Sequence, residues 1–305
     1  MSYYILYFAL YILLIGLLFV FFDTHHAGTW SDMESFSTKK NSKNKHVCIY
    51  AYYEKNEDYK HNFEFFLKNG GILPNVDYYI VINGSCTVDI PKADNIKVIR
   101  RQNQGFDFGA WQHVIKKQLS RPYDYYIFMN SSVIGPYSDT PWLDRFLELF
   151  QTGPDVKLVG TTINILEPEY TLFDRDLRTY YNNPGPFTHV QSMFFILNQE
   201  GFDYLNSLGF FNNEATLNQQ TDIYYFILNK EIPMSQIILK HGWNINCILS
   251  KYRDKDYRKI TKNFNPSFDD PYYSGAYFGN TITPEDVIFY KAYRVTEPIP
   301  YRALS

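Results

Sequence analysis

Cysteine is scarce: the chain of 305 residues holds three, Cys48, Cys86 and Cys247. They are far apart, form no Cys-x-x-Cys and allow at most one disulfide, so a disulfide framework is excluded. Cys48 and Cys247 sit in apolar runs and read as buried thiols. An excess of charge of one sign is also missing. With 29 Lys and Arg against 32 Asp and Glu the net charge is −3. There is no basic stripe, which argues against a nucleic-acid partner. No Gly-x-Gly-x-x-Gly follows the first apolar run and no Gly-x-x-x-x-Gly-Lys-Ser/Thr occurs anywhere, so a dinucleotide-binding or P-loop enzyme is disfavoured. Internal repeats and low-complexity tracts are absent.

Aromatic residues are abundant, 19% of the chain with 28 Tyr and 25 Phe. They are spread along its whole length, which points to core packing first and to a sugar-contacting surface second. The longest apolar run, residues 3–22, carries no charged side chain. Twenty residues at a helical rise span roughly 30 Å, the thickness of a bilayer core. A cleaved signal peptide would have a shorter apolar core after a basic start, and residues 26–28 offer it a cleavage site. Residues 23–45 are polar and read as a stem. Lys39, Lys40, Lys43 and Lys45 follow the span and no basic residue precedes it. Charge counting therefore favours a cytoplasmic folded domain, although those lysines start where the rule fades.

Residues 46–305 are long enough for one large α/β domain. Apolar runs at 47–53, 77–83, 96–100, 123–129, 157–164 and 190–197 read as strands. Helical patterns fall at 54–69, 108–119, 142–150, 201–208 and 221–229. The alternation predicts a mixed, mostly parallel sheet with helices on both faces. Ligands of such sheets sit beyond the carboxyl ends of the strands. This gathers residues 52–56, 83–85, 100–107 and 130–135 on one rim, with Tyr52 and Asn83 among the candidate contacts.

Several clusters on that rim carry chemistry. In 100–111, Arg101 and Asn103 offer polar contacts, Gly105 permits a tight turn, and Gly109-Ala110 allows close backbone packing. Asp107 is suited to cap the helix that follows, or to hold a ribose hydroxyl or orient a base. The strand ending at Met129 delivers Asn130, Ser131 and Ser132, where nucleotide-sugar enzymes commonly carry Asp-x-Asp for a divalent metal. Mn²⁺ or Mg²⁺ held at Asn130 and Ser132 would have amide and hydroxyl oxygens in place of carboxylates. Asn83-Gly-Ser and Asn130-Ser-Ser are formal glycosylation sequons, the second disfavoured by its place in a cleft. His189 and Gln191 alternate with Val190 along a strand and could reach an acceptor or phosphate. A lone strand histidine is more often a core residue. Displacement with inversion at a sugar carbon needs a carboxylate to take the acceptor proton. Asp222, opening an apolar helix, is the candidate base, with helix-dipole stabilisation as its structural alternative. Lys291 and Arg294 are candidate cations for a leaving diphosphate.

Taken together, four segments resemble the glycosyltransferase-like family related to bacterial rhamnan synthesis protein F, which has algal and large-DNA-virus members. They are Tyr52-Tyr-Glu-Lys-Asn56, Asn103-x-Gly-x-Asp-x-Gly-Ala-Trp111, Phe128-Met-Asn-Ser-Ser-Val-x-Gly-Pro136 and Val190-Gln-Ser-Met-Phe-Phe195. Asp222 falls where related sequences tend to have an acidic residue opening a helix, and Pro284–Arg294 also fits. The resemblance spans roughly residues 46–295. It implies a GT-A-like fold, a nucleotide-sugar donor and a glycan acceptor, with Asn130–Ser132 at the Asp-x-Asp position. The apolar run resembles the anchors of secretory-pathway glycosyltransferases and implies a single-pass type II protein in such a membrane or an equivalent one. A catalytically degenerate glycan- or nucleotide-sugar-binding membrane protein is the alternative, motivated by the missing carboxylates.

Overall fold

The computed structural model describes residues 44–172, 175–212 and 222–291. The apolar run 3–22, the stem up to residue 43, and Arg294 lie outside them. Among the described residues, no helix is long and apolar enough to cross a membrane.

The first strand, β1 (His46–Tyr52), is buried from Val47 onward, as expected of an uninterrupted apolar run in the middle of a sheet. Helix α1 (Glu57–Lys68) starts three residues later than its pattern predicts, because Asn56 caps it: its side-chain oxygen accepts from the Tyr59 N–H at 3.1 Å. Then come β2 (Val76–Asn83), β3 (Ile96–Arg101), α2 (Phe106–Lys117), β4 (Tyr125–Asn130) and α3 (Trp142–Leu147). The second half contributes β5 (Val156–Gly160), β6 (Ile163–Leu166), β7 (Phe187–Val190), β8 (Phe194–Asn198), α4 (Gln199–Ser207) and β9 (Asn244–Cys247).

Seven strands form the main sheet in the order β9-β5-β8-β4-β1-β2-β3. All run the same way except β8, which is antiparallel to both β4 and β5. The expected mixed, mostly parallel sheet is therefore present, and the carboxyl ends of β1 to β4 share one edge.

Two expected strands are each split between sheets. The run 157–164 leaves the main sheet after Gly160, and Ile163–Leu166 pairs instead with Phe187–Val190 in a two-stranded antiparallel sheet. The run 190–197 breaks at Gln191–Met193 before β8 begins. A continuous apolar run has no period that marks a change of sheet. Gly160 stands where the two sheets meet closely, since a Cβ there would lie 2.3 Å from Val190 Cγ1.

A third departure concerns the helix expected to end at Asn229. Pro233 lies just beyond, and proline ordinarily stops a helix. Here the chain stays helical from Ile223 to α5 (Ile232–Lys240) through a π-helical turn at Ile227–Glu231. The wider turn lies just before Pro233, whose ring would press on the carbonyl four residues back in a regular α-helix.

The aromatic abundance is spent mainly in the core. On one face Trp111 packs edge-on against Phe128 and Phe195, with ring centres 5.6 and 5.3 Å away. On the other, Phe194 stacks on Phe289 at 4.5 Å and Trp142 meets Phe289 edge-on at 5.1 Å. Successive residues Phe194 and Phe195 thus serve opposite faces, as strand alternation requires. Cys48 and Cys247 are buried thiols, as expected.

Gly109 bears directly on the rim. A Cβ there would sit 2.2 Å from the Gln104 carbonyl oxygen, a backbone atom that cannot rotate away. Gly109→Ala is expected to destabilise the domain by about 1–3 kcal/mol through overpacking and to displace the 102–107 turn. Urea unfolding measures this, and an unchanged midpoint would contradict the close approach.

Candidate functional site

The carboxyl ends of β1 and β4, the start of α2 and the 222–231 helical segment enclose a cavity of about 560 Å³. Asn130, the last residue of β4, stands on its wall. The Asn130 Nδ2 donates to Asp107 Oδ2 at 2.7 Å, joining the end of β4 to the first turn of α2. The Asn130 Oδ1 accepts from the Ser132 N–H at 2.9 Å and the Ser132 hydroxyl at 2.5 Å. Ser131 ties in the third loop: Tyr53 N–H donates to its hydroxyl, and Asn62 of α1 donates to its carbonyl at 3.0 Å.

Asp107 lies in the first turn of α2 and does not cap it, a correction to one expected role. The cap position is Gly105, in the left-handed region at φ 71°. Phe106 follows at φ 50°. That backbone course turns the Asp107 carboxylate inward to Asn130. Burial pushes the Asp107 carboxyl up to about 6, against the lowering effects of the Asn130 hydrogen bond and the Lys291 charge.

Glu231, the last residue of the π turn, lines the same cavity. Its Oε2 accepts from both the Ser192 N–H at 2.7 Å and the Ser192 hydroxyl at 2.5 Å. His189 Nε2 lies 3.8 Å from Oε1. Burial works to raise the Glu231 carboxyl, but His189, the Ser192 donors and Lys291 together hold it below the usual range. Glu231 is therefore an anion at neutral pH. Lys291 reaches the cavity because Tyr290 exchanges backbone hydrogen bonds with Ile134, at 2.8 and 2.7 Å, just past the Asn130–Ser132 turn. The wall thus carries Asp107, Asp222 and Glu231 against Lys55 and Lys291, with Tyr53 and Tyr224 as exposed rings at the rim.

The structure brings together Asn103, Asp107, Asn130, Ser131, Ser132, Asp222 and Lys291 of the residues singled out from sequence. Asp222 caps its helix, accepting from the Tyr224 N–H at 2.9 Å. Others lie elsewhere. Tyr52 is fully buried against Phe63, ring centres 4.3 Å apart, and the cavity ring is its neighbour Tyr53. Asn83 is buried and accepts from Arg101 at 2.8 Å, while Arg101 also donates to the Gln104 carbonyl, so this pair braces the loop from behind. Gly105 is buried in the turn. Gln191 faces away, between Thr162 and Asp270. His189 is buried, with Nδ1 donating to the Phe187 carbonyl at 2.9 Å, and touches the cavity only through Glu231. Sequence reading missed Glu231 and Ser192, and within the 52–56 rim segment it singled out Tyr52 where Tyr53 lines the cavity. The alternation of a strand could have flagged Tyr53 as the partner of a buried Tyr52, but nothing local flags Glu231.

The Asn130–Ser132 pair does not fit a metal ion as arranged. Both lone pairs of the Asn130 amide oxygen are engaged, and the Ser132 hydroxyl points its hydrogen at that oxygen. Among the described residues no group of three or more His, Cys, Asp or Glu side chains is placed to hold a metal. A broad depression of about 590 Å³ lies at the opposite end of the sheet, around Asp124, Glu200 and Asp203. Its lining is acidic, with the Lys157 ammonium paired to Glu200 at 2.6 Å.

The model of the family described as rhamnan synthesis protein F matches residues 91–272. That span contains the 103–111, 128–136 and 190–195 segments and Asp222, and leaves out 52–56 and 284–294. No curated protein matches significantly. Among solved structures, the chain is similar to the mannosyltransferase PcManGT from Pyrobaculum calidifontis, in complex with GDP-Man and Mn²⁺, at 9% identity and TM-score 0.39. That alignment covers 71% of this chain and 58% of the other. It is similar to mouse xyloside xylosyltransferase 1 at 13% identity and TM-score 0.44, covering 84% and 99% of the two chains. GlyE, a glycosyltransferase from Streptococcus pneumoniae, gives 11% identity and TM-score 0.35 over 66% and 45%. The chain thus spans little more than half of the mannosyltransferase and less than half of GlyE. The family match covers more than half of the 305 residues, and the chain belongs to the rhamnan synthesis protein F family.

Proposed function

We propose that the domain is a GT-A-like glycosyltransferase that moves a sugar from a nucleotide-sugar to a glycan acceptor. The observation that carries this reading is the Asn130–Asp107 hydrogen bond, which joins the loops after β3 and β4 into one pocket with Lys291. Family membership supports the enzyme class. In this reading Asp107 accepts a ribose hydroxyl of the nucleotide, and Tyr53 offers a face on which a flat ring can stack. Lys291 lies beside the diphosphate and stabilises the charge that develops as it leaves. The acceptor hydroxyl enters at the exposed rim, where Asp222 takes its proton as the new glycosidic bond forms. The bond from the sugar carbon to phosphate oxygen breaks with its electron pair on the diphosphate, giving inversion. The Asn130–Ser132 strand end, which lacks carboxylates, also favours a second reading as a non-catalytic sugar-nucleotide binder. Residues 3–22 tether the domain to a membrane, a proposal that rests on their length and apolarity.

Screening the detergent-solubilised full chain against uridine and deoxythymidine diphosphate sugars should show donor consumption that survives a chelator. Asp222→Asn should lose at least a hundredfold in turnover while nucleotide binding by calorimetry is retained. Unchanged turnover removes Asp222 as base, turnover restored only by Mn²⁺ refutes the metal-free reading, and binding without any turnover selects the non-catalytic alternative.

Asp107→Asn tests the half-buried carboxylate. An Asp carboxyl ionises near 3.8 when unfolded and near 6 here. Folding therefore takes up a proton between those values, and the destabilisation by Asp107 builds up from about 3.8 to about 6 and is complete above that. The variant should be more stable than wild type at pH 7.5, by on the order of 2 kcal/mol, and nearly equal at pH 4. It should also bind donor more weakly. Equal melting temperatures at both pH values would show that Asp107 is not destabilised by burial. For the tether, the full chain should stay in the membrane fraction through alkaline carbonate washing, whereas a chain starting at residue 44 should be released.

A further inference from the structure

Glu231 has no part in the mechanism above, yet it is the most firmly fixed carboxylate of the cavity. Its Oε2 has both acceptor positions filled by Ser192. Among the described residues, Oε1 accepts no hydrogen bond; the His189 Nε2 stands 3.8 Å off, outside hydrogen-bonding range. One oxygen is thus clamped and the other is left with its lone pairs at the cavity wall. The His189 ring is itself held by its bond to the Phe187 carbonyl. The π turn that ends at Glu231 sets its direction, and such turns occur frequently at functional sites.

The charge order along the cavity limits what Oε1 can meet. Lys291 acts electrostatically on both Asp107 and Glu231, so the cation is close to both carboxylates. A diphosphate settles beside Lys291, and an ionised carboxylate repels it. With the nucleoside directed to Asp107, the part of the donor that reaches Glu231 is the uncharged sugar, whose hydroxyls are donors. A carboxylate oxygen accepting from a hydroxyl makes one of the stronger neutral-to-charged hydrogen bonds. A carboxylate held below its usual range is also a weak proton acceptor, which favours a holding role over that of acceptor base.

We infer that Glu231 binds the sugar ring of the donor, its Oε1 accepting ring hydroxyls, with Ser192 and His189 as positioning residues. This rests on the nucleotide-sugar reading of the cavity and deepens it. It makes Glu231 a specificity determinant, since a site built to accept from a hydroxyl discriminates strongly against sugars that lack it.

The test uses the solubilised full chain, with UDP, dTDP, UDP-glucose and dTDP-glucose as calorimetric probes and melting temperature as the control for folding. Glu231→Gln keeps the size of the side chain and an oxygen for Ser192 but presents an amide donor in place of Oε1. It should weaken binding of the sugar-linked probes at least tenfold and that of the bare diphosphates less than twofold. The donor KM should rise more than kcat falls. Ser192→Ala should give a smaller loss of the same kind with melting temperature unchanged, and decides the matter if Glu231→Gln does not fold. Loss of sugar-linked and bare probes alike, or of turnover with donor affinity intact, overturns the inference while leaving the pocket assignment in place. Failure of the wild-type chain to bind any of the four overturns the assignment itself, and this inference with it.

Discussion

The pocket depends on a neutral amide bonded to a carboxylate. Asn130 donates to Asp107 and accepts from Ser132, so one side chain fixes the end of β4, the start of α2 and the turn between them. A carboxylate at position 130 would stand within hydrogen-bonding distance of Asp107, and two like charges at that range cannot both ionise without a cation between them. The amide removes the repulsion and supplies the hydrogen bond. The same substitution that makes the strand end look depleted in sequence makes it self-sufficient in three dimensions.

Two half-buried acids in this cavity are tuned in opposite directions. Asp107 has a single described donor and is raised by burial, whereas Glu231 has a histidine and two Ser192 donors and is lowered. The difference lies in how many partners the fold supplies to the charged form. Holding Asp107 ionised costs stability at neutral pH, and such tension between folding and charge concentrates at functional sites. Lys291 reduces the tension for both acids, and it reaches them only because the chain after Ile288 pairs with the loop after β4.

Much of the fold was legible from residue pattern. Continuous apolar runs marked β1, β2 and β4, and Gly105 marked the tight turn before α2. Asn103, Asp107 and Asn130–Ser132 were gathered from topology, because parallel strands deliver their carboxyl ends to one edge. The limits were equally physical. Tyr52 and Tyr53 are identical in type, and only the packing of β1 against Phe63 decides which ring is buried. Gln191 lay in an apolar run whose break at Gln191–Met193 turns Ser192 toward the cavity and Gln191 away from it, leaving His189 in β7 just before the break. Glu231 sat beyond a helix that Pro233 should have ended.

The sequence by itself determined the alternation of strands and helices, the family, and the polar residues at the ends of β3 and β4. These follow from local preferences and short spacings. Only the tertiary structure decided which polar residues share a cavity, which carboxylate is clamped and which is strained, and how Lys291 comes to lie beside Asp107 across the chain. Those outcomes depend on contacts between segments 23 to 39 residues apart, on the far longer-range pairing of Ile134 with Tyr290, and on a π turn that re-aims Glu231. No local pattern encodes them, because burial and charge are properties of the assembled surroundings.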